Sequence, residues 1–273
     1  MSNISAECVL KTAPDTGLEQ YSLITLKVEV PYYVWTEILT HKRFARNATS
    51  NRAMKVSKNT QMGCYTPDAF YLQGEGMASG YPVGALETEE AYKIWEATWK
   101  YCKRQALKLE KLGVAKEQSS RVLPTFKMMR GLLTGTQSAW NAFIEIRNTE
   151  FADKAMREFA LKASDAIKGA DTSYFVFHFP FIETENFFDK NKMNAEEMLY
   201  IGAGRIARIS YGQPGAKDSD YHLGTQLRDR KHLSPFEHMA GWIEYPRASA
   251  ICSKDGDKNS TFGWENARAS FER

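Results

Sequence analysis

Ser22-Leu-Ile-Thr-Leu-Lys-Val-Glu-Val-Pro31, running on into Tyr32-Tyr-Val-Trp-Thr-Glu-Ile-Leu-Thr-His41-Lys-Arg-Phe-Ala-Arg-Asn-Ala-Thr-Ser-Asn-Arg52, holds the plan of the chain. Apolar Ile24, Leu26, Val28 and Val30 alternate with polar Thr25, Lys27 and Glu29, which is the period of a half-buried strand. Pro31 stops the strand and is well placed to start a helix. Val34 with Ile38 and Trp35 with Leu39 recur four apart, so 31 to 43 reads as a helix with one buried stripe. Tyr33, Glu37 and His41 share a second face. That face delivers Glu37 and His41 to a polar run, 41 to 52, holding Lys42, Arg43, Arg46 and Arg52 among Asn47, Thr49, Ser50 and Asn51.

Outward from this unit, helices dominate. Ala91, Trp95, Thr98, Cys102, Leu109 and Leu112 mark a long amphipathic helix over 89–112, stopped by Gly113. Further helices are expected at 134–147, 151–168, 194–210 and 217–232. Residues 60–87, rich in Gly, Pro and Tyr, read as a long irregular connection, and Phe175-Val-Phe-His-Phe-Pro180 as an apolar run ended by proline. The 273 residues show no linker and no repeat, so one domain (1–273) with an insertion near 60–87 and a tail at 247–273 is expected. Val28-Glu-Val-Pro31 has an echo in Ile243-Glu-Tyr-Pro246: both are strand-like and both end in proline.

Composition sets bounds. With 43% hydrophobic and 25% charged residues the chain is neither disordered nor fibrous. A net charge of +3 is too small for wrapping a nucleic-acid polymer or adhering to a membrane by global charge. The amino terminus has no secretion signal and no segment nears 18 apolar residues, so a cytoplasmic protein without a membrane span is expected. Cys8, Cys64, Cys102 and Cys252 are scattered, as reduced thiols are, and none has a local histidine to activate it.

Four features carry chemistry. The run 41–52 supplies charge-assisted and amide or hydroxyl donors suited to phosphate oxygens; the bland reading is a solvated basic loop. His232-Leu-Ser-Pro-Phe-Glu-His238, with His222 ten residues earlier, does not match zinc spacings, so no metal is expected. A Ser-Pro turn presenting Glu237 and His238, bonded to a cofactor or to a buried network, fits it better. Gly202-Ala-Gly-Arg-Ile-Ala207 imitates a dinucleotide fingerprint, but follows a helix rather than a strand; small residues for close helix packing account for it. Arg121 and Arg147 each lie among apolar residues and need an acidic or anionic partner.

Thr40-His41-Lys42…Ser50-Asn51-Arg52, Arg121-Val-Leu-Pro124 with Arg147, Ala207-Arg-Ile-Ser-Tyr211 and Ser234-Pro-Phe-Glu-His238 together resemble the flavin-dependent thymidylate synthases. The order differs from the common form, in which the Pro-Phe-Glu-His block comes first. A circular permutation, as in phage-like versions, explains the echo at Pro31 and Pro246. The resemblance implies a helix-rich α+β fold with a small, mostly antiparallel sheet. It implies FAD, methylenetetrahydrofolate and NADPH as cofactors, and a homotetramer with sites shared between subunits.

By the same resemblance, Ser50, Asn51 and Arg52 hold the nucleotide phosphate, and Arg121 and Glu37 bind the substrate. Arg147 contacts the pyrimidine and is catalytic together with His41. Thr40, His41, Lys42, Arg43, Asn47, Ser138, Asn141, Ser210, His232, Ser234, Glu237 and His238 face the flavin. The chain departs from the pattern at Thr40 and Lys42, where the family has Arg, at Ala48 for Glu, and at Ala142, with Asn141 adjacent, for Asn. Glu37 stands near the substrate where Gln is frequent, and a carboxylate accepts well from the exocyclic amine of cytosine. The expected reaction is reductive methylation of dUMP to dTMP. A dCMP or dUMP hydroxymethylase is the alternative within the class, and a single-stranded nucleic-acid-binding module using 41–52 the alternative outside it.

Overall fold

The alternation at 22–30 becomes a central strand. In the computed structural model, which describes residues 3–14, 19–74, 79–175, 177–182, 195–210, 215–242 and 264–271, Leu23–Pro31 (β2) lies between Ser5–Ala13 (β1) and Met128–Thr136 (β6), antiparallel to both. Ala45–Ala48 (β3) adds to the outer edge of β6 and Ser173–Tyr174 (β7) pairs parallel with β1, giving the order β3-β6-β2-β1-β7. One face of β2, bearing Ile24, Leu26 and Val28, is sealed by Gln137–Arg147 (α5) and Lys154–Lys168 (α6), through Trp140, Phe143, Met156, Phe159 and Ala163. The opposite face of the sheet carries Leu132 of β6, packed against Ala195–Ala207 (α7) and the 3-10 turn Ser234–His238. The fold is α+β and helix-rich, with small, mostly antiparallel sheets.

Helix α1 is shorter than its periodicity suggests. Tyr32–Ile38 is helical, and then residues 39–44 turn so that 45–48 can pair with β6. Phe44 anchors the turn: it is buried, 4.5 Å from the Trp140 ring and 5.8 Å from Phe143, over Gly135, where a Cβ would come within 2.5 Å of it. Strands β1 and β6 lie where no alternation was legible. The connection 60–87 carries structure of its own: Val56–Asn59 (α2) leads into it, and Tyr71–Gln73 (β4) and Ser79–Pro82 (β5) form a hairpin. The long helix is Ala85–Lys111 (α3), followed by the short Lys116–Ser119 (α4).

Gly204 and Gly224 answer the false fingerprint. Helix α7 crosses Lys217–Asp229 (α8) so closely that a Cβ on Gly204 would stand 2.1 Å from the Asp220 carbonyl oxygen, and one on Gly224 2.0 Å from that of Tyr200. Small residues there serve helix contact. Part of the expected tail folds back: Trp264–Asn266 (β10) pairs with Ala240–Trp242 (β9), which also pairs with Phe177–His178 (β8), and Ala267–Phe271 (α9) covers Phe236. The echo at Ile243–Pro246, and Tyr211, lie outside the described residues.

Candidate active site

Two clusters of functional side chains emerge. The first is a cleft of about 680 Å³ lined by Asn47, Ser50, Asn51, Arg52, Arg121, Ser210, His232 and Ser234, with Glu117 on its wall. Its floor is the loop leaving β3. Ser50 donates its backbone N–H to Ser210 Oγ at 3.1 Å, and its own Oγ accepts from Arg52 N at 3.2 Å. Asn47 Nδ2 donates to the Ile206 carbonyl, tying β3 to the end of α7. Asn51 Oδ1 accepts from Asn59 Nδ2 at 3.0 Å and from Lys127 Nζ at 3.1 Å. Arg52 and Arg121 are exposed at the rim. Two guanidinium groups thus stand among amide and hydroxyl donors, with the Glu117 carboxylate among the lining residues.

The second cluster sits where the end of α1 meets the end of α5. Arg147 Nε donates to His41 Nε2 at 2.9 Å, and Arg147 Nη1 stands 3.5 Å from Glu37 Oε2. His41 rests edge-on against Phe143 at 4.9 Å. Burial, and next the Arg147 charge, lower the His41 pKa, so the ring is neutral at pH 7 and offers Arg147 a lone pair. Burial raises the Glu37 pKa, as does Asp153, while Arg147 opposes them. Asp153 is the cap of α6, accepting from Ala155 N and Met156 N.

The loop between α1 and β3 runs along α5, so Arg43 reaches Ser138 Oγ at 3.3 Å while His41 meets Arg147 one helix length away. Thr40 bonds back to the Glu37 carbonyl, Lys42 is exposed, and Asn141, also exposed, accepts from Gln137. Glu237 is bonded to Arg268 of α9. His238 is fully buried and Nδ1 meets Thr134 Oγ1 at 2.8 Å; Thr134 joins Thr25, which joins His178 and through it Thr12. No hydrogen bond or ion pair joins the two clusters among the described residues.

The three late histidines diverge. His222 bonds Gln226 on α8, His232 lines the cleft, and His238 is in the core. Among the described residues no group of three or more His, Cys, Asp and Glu could hold a metal, and no helix is long and apolar enough to cross a membrane. Within the basic run, Phe44 is buried, and so is Trp35 on α1, which removes both from any base-stacking platform. Sequence reasoning missed Lys127, Asp153 and Glu117. Lys127 alone left a trace, as the one cation in the apolar stretch from Leu123 to Met129.

Sheet, helices and cleft define a helix-rich α+β protein with two arginines at the mouth of its cleft. The family model for Thy1, thymidylate synthase complementing protein, matches residues 7–170, and the chain belongs to that family. The turn Ser234–His238 lies beyond the matched segment, and the fold returns it to β3. Two solved structures of a UMP/dUMP methylase, PolB from Streptomyces cacaoi, are similar in fold. The one bound with 5-Br UMP has 18% identity over 60% of this chain and 87% of that one, with a TM-score of 0.50. The one bound with 5-Br dUMP has 16% identity over 60% and 88%, with a TM-score of 0.49. No curated protein matches the chain.

Proposed function

We propose that the chain transfers one carbon to C5 of a deoxypyrimidine monophosphate, methylating dUMP to dTMP with methylenetetrahydrofolate, FAD and NADPH. Membership of the Thy1 family supports a thymidylate synthase-like enzyme. The observation that carries the reading furthest is Arg147, held by neutral His41 and by Glu37 with its guanidinium half-buried. A cation fixed in this way stabilises the anion formed when the pyrimidine N3 loses its proton, which makes C5 nucleophilic. The cleft then takes the phosphate through Ser50, Asn51, Arg52 and Arg121. PolB, by its description a UMP/dUMP methylase, supports the nucleotide class.

The donor set suits a flavin pyrophosphate at Thr40, Lys42, Arg43 and Ser138, where exposed cations and hydroxyls lie along α5. Asn47 and Ser210 line the cleft and are bonded within the chain, and Glu237 is bonded to Arg268. When bound, the flavin supplies the hydride; the protein supplies position and charge. Clusters on separate elements suit a single catalytic domain whose sites are completed between subunits of a homotetramer.

A second reading, hydroxymethylation of dCMP or dUMP, is favoured by Glu37, a carboxylate beside Arg147 able to accept from a cytosine amine. Incubation with methylenetetrahydrofolate, FAD, NADPH and either dUMP or dCMP, followed by mass measurement of the product, decides. A methyl group gained on dUMP supports the first reading, and a hydroxymethyl product on either substrate replaces it with the second.

A further inference from the structure

Lys127 precedes β6 and is 6% exposed, yet it ends in an ammonium. Its backbone is pinned on both sides: Lys127 N donates to the Pro124 carbonyl and the Lys127 carbonyl accepts from Tyr32 N. The backbone is therefore fixed, and the amine is held by its own contacts. It donates to Asn51 Oδ1 at 3.1 Å and lies 5.7 Å from the centre of the Tyr32 ring. No carboxylate stands within ion-pair distance of it among the described residues. Burial pulls its pKa down to about 8, which leaves it mostly charged at pH 7.

A buried cation without an acidic partner is costly unless something compensates it. The compensation points across Asn51. An ammonium has no acceptor, so the Asn51 atom facing Lys127 must be the amide oxygen, and Asn59 Nδ2 occupies that same oxygen. Both bonds turn Oδ1 inward and leave the NH₂ as the end free to serve the cleft that Asn51 lines with Ser50, Arg52 and Arg121. We propose that Lys127 is a positioning residue for the phosphate subsite: it locks Asn51 as a hydrogen-bond donor toward the cleft and places a positive charge behind it. The inference rests on the reading of the cleft as the phosphate site.

The test is calorimetric binding of inorganic phosphate, dUMP and deoxyuridine to the full chain and to Lys127→Met, Asn51→Asp and Arg52→Ala. In Asn51→Asp one carboxylate oxygen pairs with Lys127 while the other faces the cleft as an acceptor, so the fold is kept and the donor is lost. Expected are losses of about tenfold or more for phosphate and dUMP in both Lys127→Met and Asn51→Asp, with deoxyuridine unmoved. Where Lys127→Met does not fold, Lys127→Gln, which removes the charge and shortens the side chain, is read in its place. Equal losses for dUMP and deoxyuridine overturn the proposal, since a merely structural role would do that. Unchanged phosphate affinity in the Lys127 variant, with Arg52→Ala weakened, overturns it while sparing the cleft reading. If Arg52→Ala also binds phosphate as the wild type does, the cleft is not the phosphate site and the inference falls with it.

Discussion

Arg147 Nε and His41 Nε2, 106 residues apart in sequence, share a hydrogen bond of 2.9 Å in which the arginine donates and the imidazole accepts. The pair fixes a cation at the end of α5, where Glu37 forms its ion pair at 3.5 Å. Replacing Arg147 with Ala is expected to abolish turnover on dUMP while the purified protein keeps its flavin absorbance. Unchanged turnover would remove Arg147 from the site.

Acceptance by His41 requires a neutral ring. Its pKa is lowered by burial and by Arg147, so protonation is delayed to below the ordinary 6.5. As pH falls the ring gains a proton, Nε2 becomes a donor and repels Arg147. The acidic limb of the pH–rate profile should lie below 6.5 and vanish in His41→Gln, whose amide oxygen accepts at any pH. An identical acidic limb in that variant would assign it to another group.

The core pair His178 and His238 sets acid stability. Both are fully buried and held neutral, with pKa values near 3 against 6.5 unperturbed; burial is the main cause for each, and for His178 the proximity of His238 adds to it. Between these values the unfolded chain binds the extra protons, so stability is complete above 6.5 and is lost as pH falls toward 3. Each histidine costs about 1.4 kcal/mol per pH unit in that window. Denaturant unfolding at pH 7, 6 and 5 should show a steepening loss, and a flat profile would show that the network accommodates charge.

The α7–α8 crossing tolerates no added atoms. Gly204→Ala puts a Cβ against the Asp220 backbone, and Asp220 itself is fully buried between Arg205 and Arg208. Backbone must move, so a loss of about 2 kcal/mol or more is expected. Asp220→Ala strands two half-buried guanidinium groups and should cost about 3 to 5 kcal/mol. Thermal midpoints equal to wild type in both variants would contradict the packing described.

Strand β2, the helix start after Pro31 and helix α6 were legible because one buried face leaves a period in the sequence; Glu37 and His41 converge on Arg147 although the helix expected to carry both ends at Ile38. The polarity of 50–52 was legible as composition. Strand β6 was not: Met-Met-Arg-Gly-Leu-Leu-Thr-Gly-Thr is buried on both faces, with Gly131 and Gly135 shaped to receive Trp35 and Phe44, so no alternation survives. Strand β3 was hidden in a polar run because its pairing partner, not its side chains, makes it a strand. By itself the sequence determined which chemical groups are present and which elements have one apolar side. Only the tertiary structure decided that Lys127 backs Asn51, that Asp153 presses on Glu37 and that His238 sits in the core rather than in the cleft. Such contacts join residues tens to more than a hundred positions apart, and local periodicity carries no record of distant partners.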